Sequence, residues 1–180
     1  YFTGEFDWCQ AQLDVLKAST SKLIANDALE LSLLITDNYN MDTTASTMQI
    51  FAKADMFKSQ YQYGQALVYY DSIINNYKNH SLNDDVLFRK AEINLLKHEY
   101  SNAIQNLEHL LDKYPSSLLI DNSLFLLGDI YQSKIKDVEK AKKYYKTLLF
   151  DHSGSLFVVE ARKRFRKLSG STNETIDKNS

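Results

Sequence analysis

Phe51-Ala-Lys-Ala-Asp-Met56 returns as Phe88-Arg-Lys-Ala-Glu-Ile93 and again as Phe125-Leu-Leu-Gly-Asp-Ile130, at steps of 37 residues. A second pattern follows each copy. It reads Tyr63-x-x-Ala66-x-x-x-Tyr70-x-x-Ile73, then Tyr100-x-x-Ala103-x-x-x-Leu107-x-x-Leu110, then Val138-x-x-Ala141-x-x-x-Tyr145-x-x-Leu148. A period of this size marks a stack of supersecondary units. Stacked helix pairs build an extended concave surface, and such surfaces bind partners.

The apolar spacing predicts helix almost throughout. Helices are expected over about 5–17, 23–35, 63–77, 83–97, 100–113, 121–134, 138–151 and 155–168, with a long one from Asp42-Thr-Thr to about Gln60. Five Gly and one Pro in 180 residues suit long helices, because both residues interrupt them. Asn83 and Asp137 are placed to cap helix starts, and Pro115 follows Tyr114 where a helix should stop. Ala54, Ala91 and Gly128 share one register, and Ala66, Ala103 and Ala141 another. Small side chains there let two helices approach, while Phe57, Tyr63, Tyr70, Tyr100, Tyr131 and Tyr145 fill the space around them. The resulting division is an N-terminal partial repeat with connecting helices (1–41), three repeats (42–78, 79–115, 116–153), a capping helix (154–168) and a polar tail expected to be disordered (169–180).

Chemistry is sparse. His80, His98, His109 and His152 are scattered without a metal-ligand spacing, and there is no glycine-rich phosphate loop. Cys9 lies on the apolar stripe of its helix, as a buried structural thiol does. The expectation is a non-enzymatic protein with no cofactor and no metal. No apolar run is long enough to span a membrane. Charge is uneven: residues 134–180 carry 12 cations and 6 acids, while residues 1–133 carry 9 and 17. The basic run Arg162-Lys-Arg-Phe-Arg-Lys167 is read as the water-facing side of a cap whose apolar stripe is Phe157, Ala161, Phe165 and Leu168. With the rest of the chain acidic, nucleic acid is not an expected partner.

In these residues the chain resembles the tetratricopeptide repeat family. Tyr100, Ala103, Leu107, Leu110 and Pro115 resemble the second half of that repeat, and Leu124, Leu127, Gly128 and Tyr131 the first. The period of 37 to 38 exceeds the family's 34, and Asn94 stands where a large residue is usual. The resemblance implies an all-α, right-handed superhelix of antiparallel helix pairs, and a protein or peptide partner in its groove. Residues 1–20 look like the second helix of an earlier repeat, and the chain is expected to be the C-terminal part of a longer protein. The run from Tyr114-Pro-Ser-Ser to Gly128-Asp-Ile-Tyr131 is similar to bacterial cell-envelope members, the outer-membrane assembly lipoproteins and the Tol-associated coordinators. That similarity implies a periplasmic or envelope location, with the cytoplasm as the alternative.

The family's inner-surface positions, carried onto this sequence, give Phe51, Asp55 and Lys58 in the first copy, Asp85, Phe88 and Glu92 in the second, and Phe125, Asp129 and Gln132 in the third. A Phe and an acid four residues apart share a helix face. One reading is an aromatic and acidic groove for a basic amphipathic segment. In the other, both ladders are scaffold. The family's mode of holding a C-terminal carboxylate with Lys, Asn and Arg would need the opposite charge here. The alternative function is self-association, as a homodimer through the N-terminal helix of a larger envelope protein, with an enzyme a distant third.

Overall fold

The computed structural model describes residues 1–19, 21–39 and 46–174, with side chains through Gly170. Every regular element among them is helical: α1 (Phe6–Lys17), α2 (Lys22–Tyr39), α3 (Ser46–Ser59), α4 (Tyr63–Asn76), α5 (Asn83–Leu96), α6 (Tyr100–Lys113), α7 (Ile120–Ile130), α8 (Val138–Asp151) and α9 (Val158–Glu174). The expected Asp42 cap lies outside the described residues.

The chain forms two compact units, Tyr1–Val86 and Leu87–Ser180. In the first, α1 packs on α2 and α3 on α4. Phe6, Cys9 and Leu13 are the buried stripe of α1, so the lone thiol is structural as expected. In the second unit α7 packs on α6 and on α8, and α8 packs on α9.

The repeated small residues are where the sequence puts them: Ala54, Ala66, Ala91, Ala103 and Ala141 are fully buried. The large residues at the eighth and eleventh helix positions fill the space beside them, Tyr70 and Ile73 in α4, Leu107 and Leu110 in α6, Tyr145 and Leu148 in α8. Gly128 is the tightest of these contacts. A Cβ there would lie 2.5 Å from Cε1 of Tyr145.

The turn within each pair repeats as well. Each has one residue in the left-handed region, Tyr61 (φ 61°), His98 (φ 61°) and Lys136 (φ 65°). In the first two, the next amide bonds back across the turn, Gln62 to the Phe57 carbonyl (2.9 Å) and Glu99 to the Asn94 carbonyl (2.8 Å), which closes the helix with a six-residue loop. In the third the equivalent amide, Asp137, reaches Tyr131 (2.9 Å), one residue further back. The extra residue that stretches the period from 37 to 38 is thus absorbed in a π turn over Tyr131–Ile135. This is why the expected helix over 121–134 ends as an α-helix at Ile130.

One cap behaves as expected and one differently. Asp137 caps α8 by accepting from the Lys140 amide (3.0 Å). Asn83 is instead the first helical residue of α5 and donates its side-chain amide back to the Tyr77 carbonyl (2.9 Å), tying the linker down. The terminal helix also runs past Leu168 to Glu174, beyond the expected start of the polar tail. Extending a formed helix needs one residue ordered per bond, whereas starting one needs three, so polar residues add to it readily. Residues 175–180 of the expected tail lie outside the described residues.

The linkers between repeats share one geometry. The amides of His80 and Asn83 bond to the carbonyls of Tyr77 and His80, those of Ser117 and Ile120 to Tyr114 and Ser117, and those of Ser155 and Val158 to His152 and Ser155. Helix α9 therefore enters in the register of a repeat's first helix, with Val158 where α7 has Ile120.

Candidate interaction site

The three Phe–acid pairs stand in different surroundings. In the first copy Phe51 is fully buried, edge-on to Tyr70 with ring centroids 5.5 Å apart. It therefore belongs to the core and offers no open surface, because the aromatic of the following helix covers it. Asp55 accepts from the Tyr70 hydroxyl, and from the Tyr1 hydroxyl at 2.9 Å. Lys58 is half-buried. Asp85, on the first turn of α5, accepts from the Asn38 side chain at 3.5 Å.

In the third copy the pair is covered by α9. The Phe157 ring stacks on Phe125 with centroids 4.8 Å apart and planes 17° from parallel. The Arg164 guanidinium lies 4.9 Å from the Phe125 centroid and pairs with Asp129. It also bonds Glu160 at 2.9 Å and donates to the Tyr145 hydroxyl at 3.3 Å. Tyr145 in turn donates to Gln132 at 2.8 Å. Burial opposes the Arg164 charge, but Glu160, Tyr145 and Asp129 outweigh it and hold its pKa above the ordinary guanidinium value. The same bond from Arg164 holds the Glu160 carboxyl below its ordinary value. Burial pushes the Tyr145 hydroxyl up, with Arg164 acting against that.

The middle copy has Leu107 at the position of Tyr70 and Tyr145, so no hydroxyl is offered to Glu92 from there. Glu92 instead accepts from Arg89 on its own helix at 3.1 Å. Phe88 is half-buried, and Leu96, two turns along α5, is 55% exposed.

Phe157 packs on the last repeat, as its place on the apolar stripe of the cap leads one to expect, while Arg164 is the side chain at this contact that the sequence reading does not single out. Arg164 was grouped with the water-facing cations. Its spacing held the signal: it lies seven residues after Phe157 and three after Ala161, on the edge of the apolar stripe. Elsewhere Tyr144 donates to Glu108 at 2.6 Å and stacks on Tyr131 with centroids 5.6 Å apart. Burial first, and then Glu108, push the Tyr144 hydroxyl far above its usual range.

Among the described residues no group of three or more His, Cys, Asp or Glu stands together to hold a metal ion. No described helix is long and apolar enough to cross a membrane. No curated protein matches the chain. Two consecutive segments, residues 85–117 and 122–155, match the family model of the tetratricopeptide repeat, so that α5 with α6 and α7 with α8 each form one match.

Proposed function

We propose that this chain is a protein-interaction scaffold, and that a basic, aromatic segment of a partner docks on α5 around Phe88, Glu92 and Leu96. Tetratricopeptide repeats in general mediate protein–protein interaction, which supports the coarse part of this reading. The fine part is carried by one observation: at Phe125 and Asp129 the same Phe–acid pair holds the Arg164 guanidinium from α9 and the aromatic ring of Phe157, the residue just before that helix. An acid beside an aromatic face favours a cation that can stack as well as pair, which is arginine chemistry. On α5 the same pair of residue types lies one repeat earlier, next to the exposed Leu96.

Photo-crosslinking groups placed at Phe88, Glu92 and Leu96 test this in the native source. Under the proposal they capture one shared partner, and Glu92→Lys abolishes its capture from Leu96 while the melting curve stays near that of the parent. Capture that survives Glu92→Lys, or that occurs equally from Tyr144, removes α5 as the docking surface.

A further inference from the structure

We infer that the outer face of α9, with the turn that leads into it, is a docking surface for an anionic lipid bilayer. Leu156, Val159, Lys163 and Arg166 follow one another at spacings of three and four residues and so share one side, with Arg162 and Lys167 flanking it. All six are exposed, Leu156 at 95% and Val159 at 78%. The opposite side is the one that packs: Ala161 and Leu168 are buried, and Phe157 and Arg164 lie against Phe125 and Asp129. The one acid in the run, Glu160, bonds Arg164 at 2.9 Å. The outer face therefore carries four cations and no carboxylate.

The register of α9 explains why this side is open. Helix α9 enters as α7 does, so Ala161 and Leu168 take the places of Ser123 and Ile130, and all four are buried. Arg162 and Arg166 take the places of Leu124 and Gly128, and Gly128 lies under Tyr145 of α8. A helix laid on α9 as α8 is laid on α7 would bury both guanidinium groups, which is unfavourable without paired acids. The face is thus built for water or for anions, whatever follows in the chain. Four cations alone would suit a bilayer, a nucleic acid or an acidic protein. Leu156 and Val159 decide for the bilayer. They offer a base neither a hydrogen bond nor a ring. Leu156 also stands almost entirely clear of the protein, so a folded partner would have to bring a pocket to it. A bilayer needs none: apolar tips enter the boundary between headgroups and acyl chains while the cations meet lipid phosphates. No described helix is long and apolar enough to cross a membrane, and the contact proposed is peripheral.

The test is co-sedimentation of the full chain with phosphatidylcholine vesicles, with and without about one third phosphatidylglycerol. Binding is expected only where the anionic lipid is present. It should weaken about tenfold as salt rises from roughly 0.05 to 0.5 M, because exposed charges are screened. Arg162→Gln with Arg166→Gln should weaken it about thirtyfold, at about a factor of five for each charge. Leu156→Ser should weaken it about tenfold and leave the salt dependence as it was, since it removes an apolar contact and no charge. Both variants change exposed positions, and their melting curves are expected to stay near the parent's. Should the arginine variant lose helix content, the Leu156→Ser arm stands on its own, at a side chain that is 95% exposed. No binding to the anionic vesicles overturns the proposal, and so does equal binding to both kinds of vesicle. Undiminished binding of Leu156→Ser overturns it as well, because charge alone would then account for the contact. Binding to duplex RNA or to poly-glutamate that is tighter than to the anionic vesicles assigns the face to nucleic acid or to an acidic protein and overturns it too.

Discussion

Phe51–Asp55 in α3 and Phe125–Asp129 in α7 are the same residue types at the same spacing, and each is followed by a tyrosine at the eighth position of the next helix. Their fates differ. Tyr70 donates straight to Asp55, and the Phe51 ring is sealed in the core. Tyr145 donates to Gln132 instead, and Asp129 receives Arg164 from α9. A motif therefore sets which groups share a helix face, while the next element along the chain decides what those groups bind. The middle copy makes the same point from the other side: with leucine in place of the tyrosine, Glu92 turns to Arg89 on its own helix.

The sharpest way to break this comparison is at the small residue beneath the tyrosine. Gly128→Ala places a Cβ 2.5 Å from the Tyr145 ring, and is expected to destabilise by about 1–3 kcal/mol in urea melts. In the first copy alanine already occupies that register, and Ala54→Gly should cost only about 0.5–1 kcal/mol, from helix propensity. Equal losses would mean that the two tyrosines pack alike.

The acids come next. Asp55→Ala removes the acceptor used by the buried Tyr70 hydroxyl, with an expected loss of about 1–3 kcal/mol. Asp129→Ala breaks a pair whose side chains are 37% and 28% exposed, and water moderates the loss to about 1 kcal/mol or less. Thermal melts of the two variants side by side check the order, and a larger loss at Asp129 would reverse the account.

The repeat register, the small-residue contacts and the helix pairs were all legible in the sequence, because buried spacing repeats whenever the same packing repeats. The structure departs from that reading where one residue more or less changes a turn or where a charge turns inward. The π turn at Tyr131–Ile135 follows from the step of 38 between Tyr100 and Val138, yet nothing in the residues says whether helix or linker takes up the addition. Phe51 and Phe125 look equivalent on paper, and only the helix that covers each one separates them. Arg164 sits in a run of five cations, where composition points to water. Its pairing with Asp129 depends on how α9 is docked on α8, which a local pattern does not contain.

A pH series sharpens the same contrast. Arg164 holds the Glu160 carboxyl below its ordinary 4.5, so that contribution is present above 4.5 and is lost as pH falls through the lowered value. Acid below the ordinary 4.5 should therefore loosen α9, which amide exchange of residues 158–168 would show. At the alkaline end Tyr131, Tyr144 and Tyr145 have raised values. The unfolded chain ionises first, so stability is present below the ordinary 10 and falls as pH rises above it. Phenolate absorbance should therefore appear in two steps, the second coinciding with unfolding.

The smallest expected effect is a gain. Lys136 holds a left-handed conformation without being glycine, and Lys136→Gly should stabilise by about 0.5–1 kcal/mol once the strain is weighed against glycine's greater freedom in the unfolded chain. At His98 the gain should be less, because its ring nitrogen bonds the Tyr100 hydroxyl at 3.1 Å. A destabilised Lys136→Gly variant would mean that the lysine side chain supports the π turn.

The most direct test of the central claim, that one motif serves the core in the first copy and docks α9 in the third, is residue-resolved hydrogen exchange on Asp55→Ala and Asp129→Ala. The account predicts that Asp129→Ala lowers protection in α9 while α3 and α4 keep theirs, and that Asp55→Ala does the reverse. Unchanged exchange in α9 on losing Asp129, or the same pattern of loss from both variants, would contradict it.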